Sequence, residues 1–181
     1  TEMPAGSFLV PAAGAADRIQ AAVRELGLTA VGLSSMPDVA SHDLDLPRIA
    51  MYSMWGSTQE VGWVRFSFDR FAIPYDLVFK ERVRAGELRR DYDVIVFPSQ
   101  GSSGKAIVYD VEPKDRPIPY TQTPEFKNLG MYGSSEDITG GMGLEGVVEL
   151  QKFVAAGGVL VTLGNATTLP TDFGLARSIS G

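Results

Sequence analysis

Four short apolar runs, interleaved with stretches of helical periodicity, set the limits on what this chain can fold into. They are "RIAMYS" (Arg48–Ser53), "YDLVF" (Tyr75–Phe79), "DVIVFP" (Asp93–Pro98) and "VLVTL" (Val159–Leu163). Each has strand length, and "DVIVFP" holds four consecutive apolar residues, as in a strand buried on both faces. "TQEVGWVRFSFDRFAI" (Thr58–Ile73) places Val61, Val64, Phe68 and Phe71 at i, i+3, i+7 and i+10, with Thr58 as N-cap. The helical pattern at Gly143–Ala156 carries Leu144, Val147, Val148, Gln151 and Val154 along one side, and Gly157–Gly158 stops it. A last helix is expected to begin in "TDFGLARSI" (Thr171–Ile179). Apolar strands alternating with helices predict an α/β fold: an open, mostly parallel sheet with helices on both faces, of the flavodoxin-like or Rossmann-like class.

The N-terminal part reads differently. "GSFLVP" (Gly6–Pro11) and "LTAVGL" (Leu28–Leu33) are expected as short strands flanking an amphipathic helix at Ala16–Gly27, with Ile19, Ala22, Val23 and Leu26 on one face. Ser34–Pro47 has no period and two prolines, and reads as a linker. Residues 1–46 are therefore a β-α-β connecting segment, and residues 47–181 the main α/β domain. Thr1 in place of a Met, and the ending "ARSISG", suggest a piece of something longer. The segment Ser99–Thr139 is rich in Gly, Pro and Ser, and a loop of that length is usually functional or packs on a neighbour.

Composition removes several functions. A net charge of −6 argues against nucleic-acid binding, which needs a basic surface. The one basic cluster, Lys80–Arg90, also carries Glu81 and Glu87 and reads as a solvated connection. With no cysteine, the chain has no disulfide, thiolate zinc site or cysteine nucleophile. No apolar run approaches the ~20 residues of a membrane helix. No metal site and no cofactor are expected: the single histidine, His42, lies in the linker.

Gly141, Gly143 and Gly146 spell G-x-G-x-x-G in "GGMGLEG". A dinucleotide fingerprint needs a strand before it and an acid about 20 residues on. Here "GSSEDIT" precedes it, "VTLGNATT" follows, and Glu145 sets a negative charge in the first helical turn. The glycines are instead expected to make a tight turn into a helix, with Gly146 allowing close packing. "QGSSGK" (Gln100–Lys105) is neither G-x-S-x-G nor a phosphate-binding loop, because Ala106 follows Lys105. The pairs Asp110/Glu112 and Glu136/Asp137 would do acid–base chemistry only if buried close together, and surface loops place them in water. No catalytic residue is therefore assigned.

Open α/β sheets bind ligands at the C-terminal ends of their strands. The residues expected to line such a crevice are Trp55, Gly56, Ser99, Gln100, Gly141, Gly143 and Asn165, with the Gly140–Gly143 amides able to take a carboxylate.

The succession "RIAMY…WG…Q…GW…FD…IPYDLVF", then "YDVIVFP", then "ITGGMGLEGVVELQKFVAAGGVLVTLGNAT" resembles the class I glutamine-amidotransferase-like domain appended to some bacterial zinc carboxypeptidases. The resemblance covers Pro47 to about Ala176. It implies a three-layer flavodoxin-like sandwich, an upstream peptidase domain as partner, and a periplasmic or secreted location. Active members carry a cysteine at a sharp strand-to-helix turn, with His and Glu later in the chain. The matching turn here reads Gly164-Asn165-Ala166, with no cysteine and no later histidine. The peptidase's own H-x-x-E motif is also missing. The resemblance thus implies a non-catalytic accessory domain serving interdomain or subunit contact, a second copy of the chain being another candidate partner. The alternative is a module binding a small molecule or a peptide carboxylate in the crevice.

Overall fold

The parallel strands expected from the apolar runs are present, and they hydrogen-bond to one another in a single sheet. A computed structural model describes residues 3–4 and 6–176, and the chain divides into two units, Thr1–Leu44 and Asp45–Gly181. In the first unit the regular element is helix α1 (Ala16–Leu26), closed by Gly27 in the left-handed conformation, as the sequence predicts. None of its residues is buried. The strands expected at Gly6–Pro11 and Leu28–Leu33 do not form. A strand needs a partner to take up its backbone N–H and C=O groups, and among the described residues neither segment pairs with another.

The second unit is a mixed α/β fold. Its elements are β1 (Ile49–Tyr52), α2 (Gln59–Arg70), β2 (Asp76–Val78), α3 (Lys80–Arg84), α4 (Leu88–Asp91), β3 (Val94–Phe97), α5 (Gly104–Tyr109), α6 (Gly143–Ala155), β4 (Val159–Thr162) and α7 (Thr168–Asp172). All four strands are parallel, in the order β2-β1-β3-β4. Ala50, Tyr52, Val78, Ile95 and Phe97 enter one apolar cluster with Val83, Leu88, Ile107, Val108, Val147, Leu150 and Phe153 from the helices. Met51 and Val96, of opposite parity along their strands, are buried as well. Strands buried on both faces are what continuous apolar runs require.

Several local expectations are corrected. The buried face of α6 is Gly143, Gly146, Val147, Leu150 and Phe153, whereas Leu144, Val148 and Val154 are exposed. Gly146 causes the rotation: a Cβ there would lie 2.6 Å from Met142 Cβ and 3.3 Å from Val83 Cγ1, so the glycine side is where α6 meets α3. In α2, Val61 is buried and Phe71, beyond the helix end, is 76% exposed. Thr58 sits at the N-cap without a side-chain cap bond. The Ser99–Thr139 segment is irregular apart from isolated bridges pairing Val111 with Thr139 and Tyr120 with Ser135, and α5, which starts where Ser103 Oγ accepts the Ala106 N–H. The C-terminal helix begins earlier than expected, in a 3-10 turn at Gly164–Thr167 that leads into α7. The part of "TDFGLARSI" beyond Ala176 lies outside the described residues.

Candidate functional site

The chain leaves β1 toward β2 on one side and β3 toward β4 on the other, so the direction of winding switches between β1 and β3. The crevice of a parallel sheet opens at that switch, beyond the strands' C-terminal ends. The segments at that end are Ser53–Gly56 after β1, Ser99–Gly101 after β3 and Gly164–Asn165 after β4.

On the β3 side the polar groups are matched to one another. Gln100 is 2% exposed. Its Oε1 accepts the Met54 N–H at 2.8 Å and its Nε2 donates to the Tyr52 carbonyl at 3.1 Å. One neutral amide thus clips the ends of β1 and β3 together. Ser99 Oγ accepts the Asn165 N–H at 3.2 Å, and Asn165 Nδ2 donates to the Gly101 carbonyl at 3.1 Å. Gly164 has φ +53°, and a Cβ there would stand 2.5 Å from Ser99 Oγ, so the close approach of the β3 and β4 loops needs glycine.

On the β1 side the key group is Asp110, at the end of α5. Its two carboxylate oxygens accept the N–H groups of Trp55, at 2.7 Å, and Gly56, at 3.0 Å. Burial pushes its carboxyl above the ordinary aspartate value, against the opposing pull of the two amides and of Lys80. Asp110 has φ +48° and ψ −125°, a backbone conformation that non-glycine residues rarely adopt. The Trp55 ring turns away from the β3 loop and stacks on Phe79 (centroids 4.0 Å apart), with Tyr120 at 5.3 Å.

Beside this pair lies Lys80, 5% exposed, whose Nζ donates to the Thr139 carbonyl. The solvated reading of Lys80–Arg90 therefore fails at its first residue, because the Thr139 end of the long loop folds over it. Glu81 accepts from Ser135 Oγ and, at 3.4 Å, from Trp55 Nε1. Asp137 accepts the Thr139 and Ile118 N–H groups, which hold its carboxyl below the usual range. Lys80, Glu81, Arg84, Ser135, Asp137 and Thr139 line an open cleft of about 510 Å³. The Tyr52 hydroxyl, fully buried against Phe97, has no hydrogen-bond partner among the described residues, and burial pushes its pKa up.

The glycine-rich turn stands apart from the β3 and β4 loops. A Cβ on Gly141 would lie 2.2 Å from the Val108 carbonyl oxygen, so this turn crosses directly over α5. Arg84 donates to the carbonyls of Met142 and Gly140, and Glu145 Oε2 lies 2.7 Å from where a Gly143 Cβ would be.

Of the seven expected residues, the structure joins Ser99 and Asn165 on one side, places Trp55 and Gly56 on the other, and sets Gln100 between the strands. Gly141 lies against α5, and Gly143 faces the Glu145 and Arg84 side chains. Asp110 and Lys80 were missed as parts of the crevice. The sequence treats Asp110 and Glu112 alike, and only the three-dimensional return of α5 toward Trp55 distinguishes the two. Comparison with protein-family models, curated proteins and solved structures finds no match to this chain. Among the described residues, no helix is long and apolar enough to cross a membrane, and no cluster of three or more His, Cys, Asp or Glu side chains could hold a metal ion.

Proposed function

We propose that residues 47–181 form a non-catalytic accessory domain of a zinc-carboxypeptidase-like protein, of the flavodoxin-like, glutamine-amidotransferase-like type, contacting the peptidase domain of that protein. The observation that carries this reading is Asn165. It sits at the strand-to-helix turn where the resemblance puts the nucleophile, and both its N–H and its side-chain amide are tied to the β3 loop. A residue held in that way stabilises the turn and offers no attacking atom.

The fold detail has its own support. With right-handed crossovers, a β1-to-β2 step in one direction and a β3-to-β4 step in the other put α2 and α6 on opposite faces of the sheet. The contact role is supported by α2, whose Val61 is buried while Trp63 and Phe66 are 62% and 63% exposed in an edge-to-face pair. Exposed aromatic groups of this kind are typical anchors of protein interfaces.

The test is carboxypeptidase activity of the protein that carries this chain, with and without residues 47–181, followed together with its mass by light scattering. Loss of activity or of assembly, with the peptidase domain still folded, is expected. Unchanged activity and unchanged assembly would refute the reading. A second reading, a carboxylate-binding module, is favoured by one observation: the Trp55 and Gly56 amides already hold a carboxylate.

A further inference from the structure

Two closures hold the crevice, and they differ in kind. Gln100 is neutral and buried, and each end of its amide meets a complementary backbone group. Asp110 brings a charge, holds it partly out of water, and does so from a backbone conformation with φ +48°. Strain of this sort collects at functional sites. The groups it serves are two successive backbone N–H donors converging on one carboxylate, at the C-terminal end of an inner strand. Gly56 makes the approach feasible: a Cβ there would lie 2.7 Å from Asp110 Oδ1. Gly56 is exposed and Trp55 half-buried, so this pair of residues lies at the surface. Lys80 adds a fixed positive charge beside the carboxylate.

We propose that the paired amides of Trp55 and Gly56 are a binding site for a small monocarboxylate, and that Asp110 is a tethered surrogate which the ligand displaces. This rests on the second reading above and is independent of the accessory role. The ligand's carboxylate takes the two N–H bonds that Asp110 now fills, and its adjoining atoms meet the Trp55, Phe79 and Tyr120 rings. The tether sets the affinity. An intramolecular competitor acts at an effective concentration in the millimolar range, so external carboxylates bind weakly until Asp110 is removed.

The test follows the Trp55 and Gly56 backbone amide resonances in the full 181-residue chain during titration with acetate, N-acetylalanine and N-acetylalanine amide. In the wild-type protein, N-acetylalanine is expected to shift both resonances at millimolar concentration, and the amide to leave them in place. Acetate moving them equally assigns recognition to the carboxylate alone. A larger effect of N-acetylalanine adds the aromatic wall. In Asp110→Gly, whose backbone suits φ +48°, the dissociation constant is expected to fall at least tenfold. Asp110→Asn provides the same comparison if the glycine variant does not fold. No shift with any carboxylate overturns the proposal. So does binding confined to the variants, because Asp110 would then be a fixed tether. Deleting residues 47–181 tests the accessory role separately and is unaffected by either result.

Discussion

Replacing Gln100 by Ala removes the clip between β1 and β3, and the structure sets the size of the effect. The Met54 N–H has no other partner among the described residues, and Met54 is 5% exposed. Leaving a buried N–H unpaired costs about 1–3 kcal/mol. The lost bond to the Tyr52 carbonyl adds about 1 kcal/mol. The expected total is roughly 2–4 kcal/mol, a large part of the 5–15 kcal/mol typical of a domain. With a urea slope of about 2 kcal/mol per molar, the unfolding midpoint should fall by roughly 1–2 M. Urea titration followed by circular dichroism reads it. Gln100→Glu sharpens the test. One carboxyl oxygen keeps the Met54 bond, while the other faces the Tyr52 carbonyl, so the folded protein favours the protonated acid and its pKa rises above the unfolded value. Relative to wild type, the variant should therefore be most stable below about pH 4 and lose stability as pH rises through the folded pKa. A loss under about 0.5 kcal/mol for Gln100→Ala, the level of an ordinary surface change, would refute the clip.

Other perturbations probe the remaining parts of the unit. A Cβ at Gly158 would lie 2.4 Å from the Phe153 ring, so Gly158→Ala should destabilise by about 1–3 kcal/mol in the same titration. Hydrogen bonds from Arg48 and Arg89 hold the Asp93 carboxyl well below the usual range. Its contribution is present above the unfolded pKa of about 4 and fades as pH falls, so Asp93→Asn should flatten the acid limb of a stability–pH profile. Trp63→Ala, on the exposed side of α2, should change stability by less than about 0.5 kcal/mol, and a larger loss would place Trp63 in the core.

The inner strands β1 and β3 were legible because burial on both faces leaves a continuous apolar run, and helical periodicity marks α2 and α6. The orientation of α6 was not. Counting apolar side chains favoured Leu144 and Val148, whereas Gly146 fixes the packed side by having no side chain at all. Helix α5 was hidden by its six-residue length and its Gly- and Ser-rich surroundings. In the crevice, Ser99, Gln100 and Asn165 follow strand ends and could be named from position. Asp110 and Lys80 could not, because what makes them matter is a contact with distant backbone: Asp110 with Trp55, Lys80 with Thr139. Nothing local marks such a contact.

Those same contacts bear on how the molecule forms. Gln100 meets Met54 across 46 positions of sequence, Asp110 meets Trp55 across 55, and Ser99 meets Asn165 across 66. Each closes a long loop, and the entropy of closure must be met before the contact returns any stability. Helices such as α6 need only neighbours along the chain. The contacts that assemble this end of the sheet are therefore the ones with the largest closure entropy to offset, and they depend on β1, β3 and β4 already lying side by side.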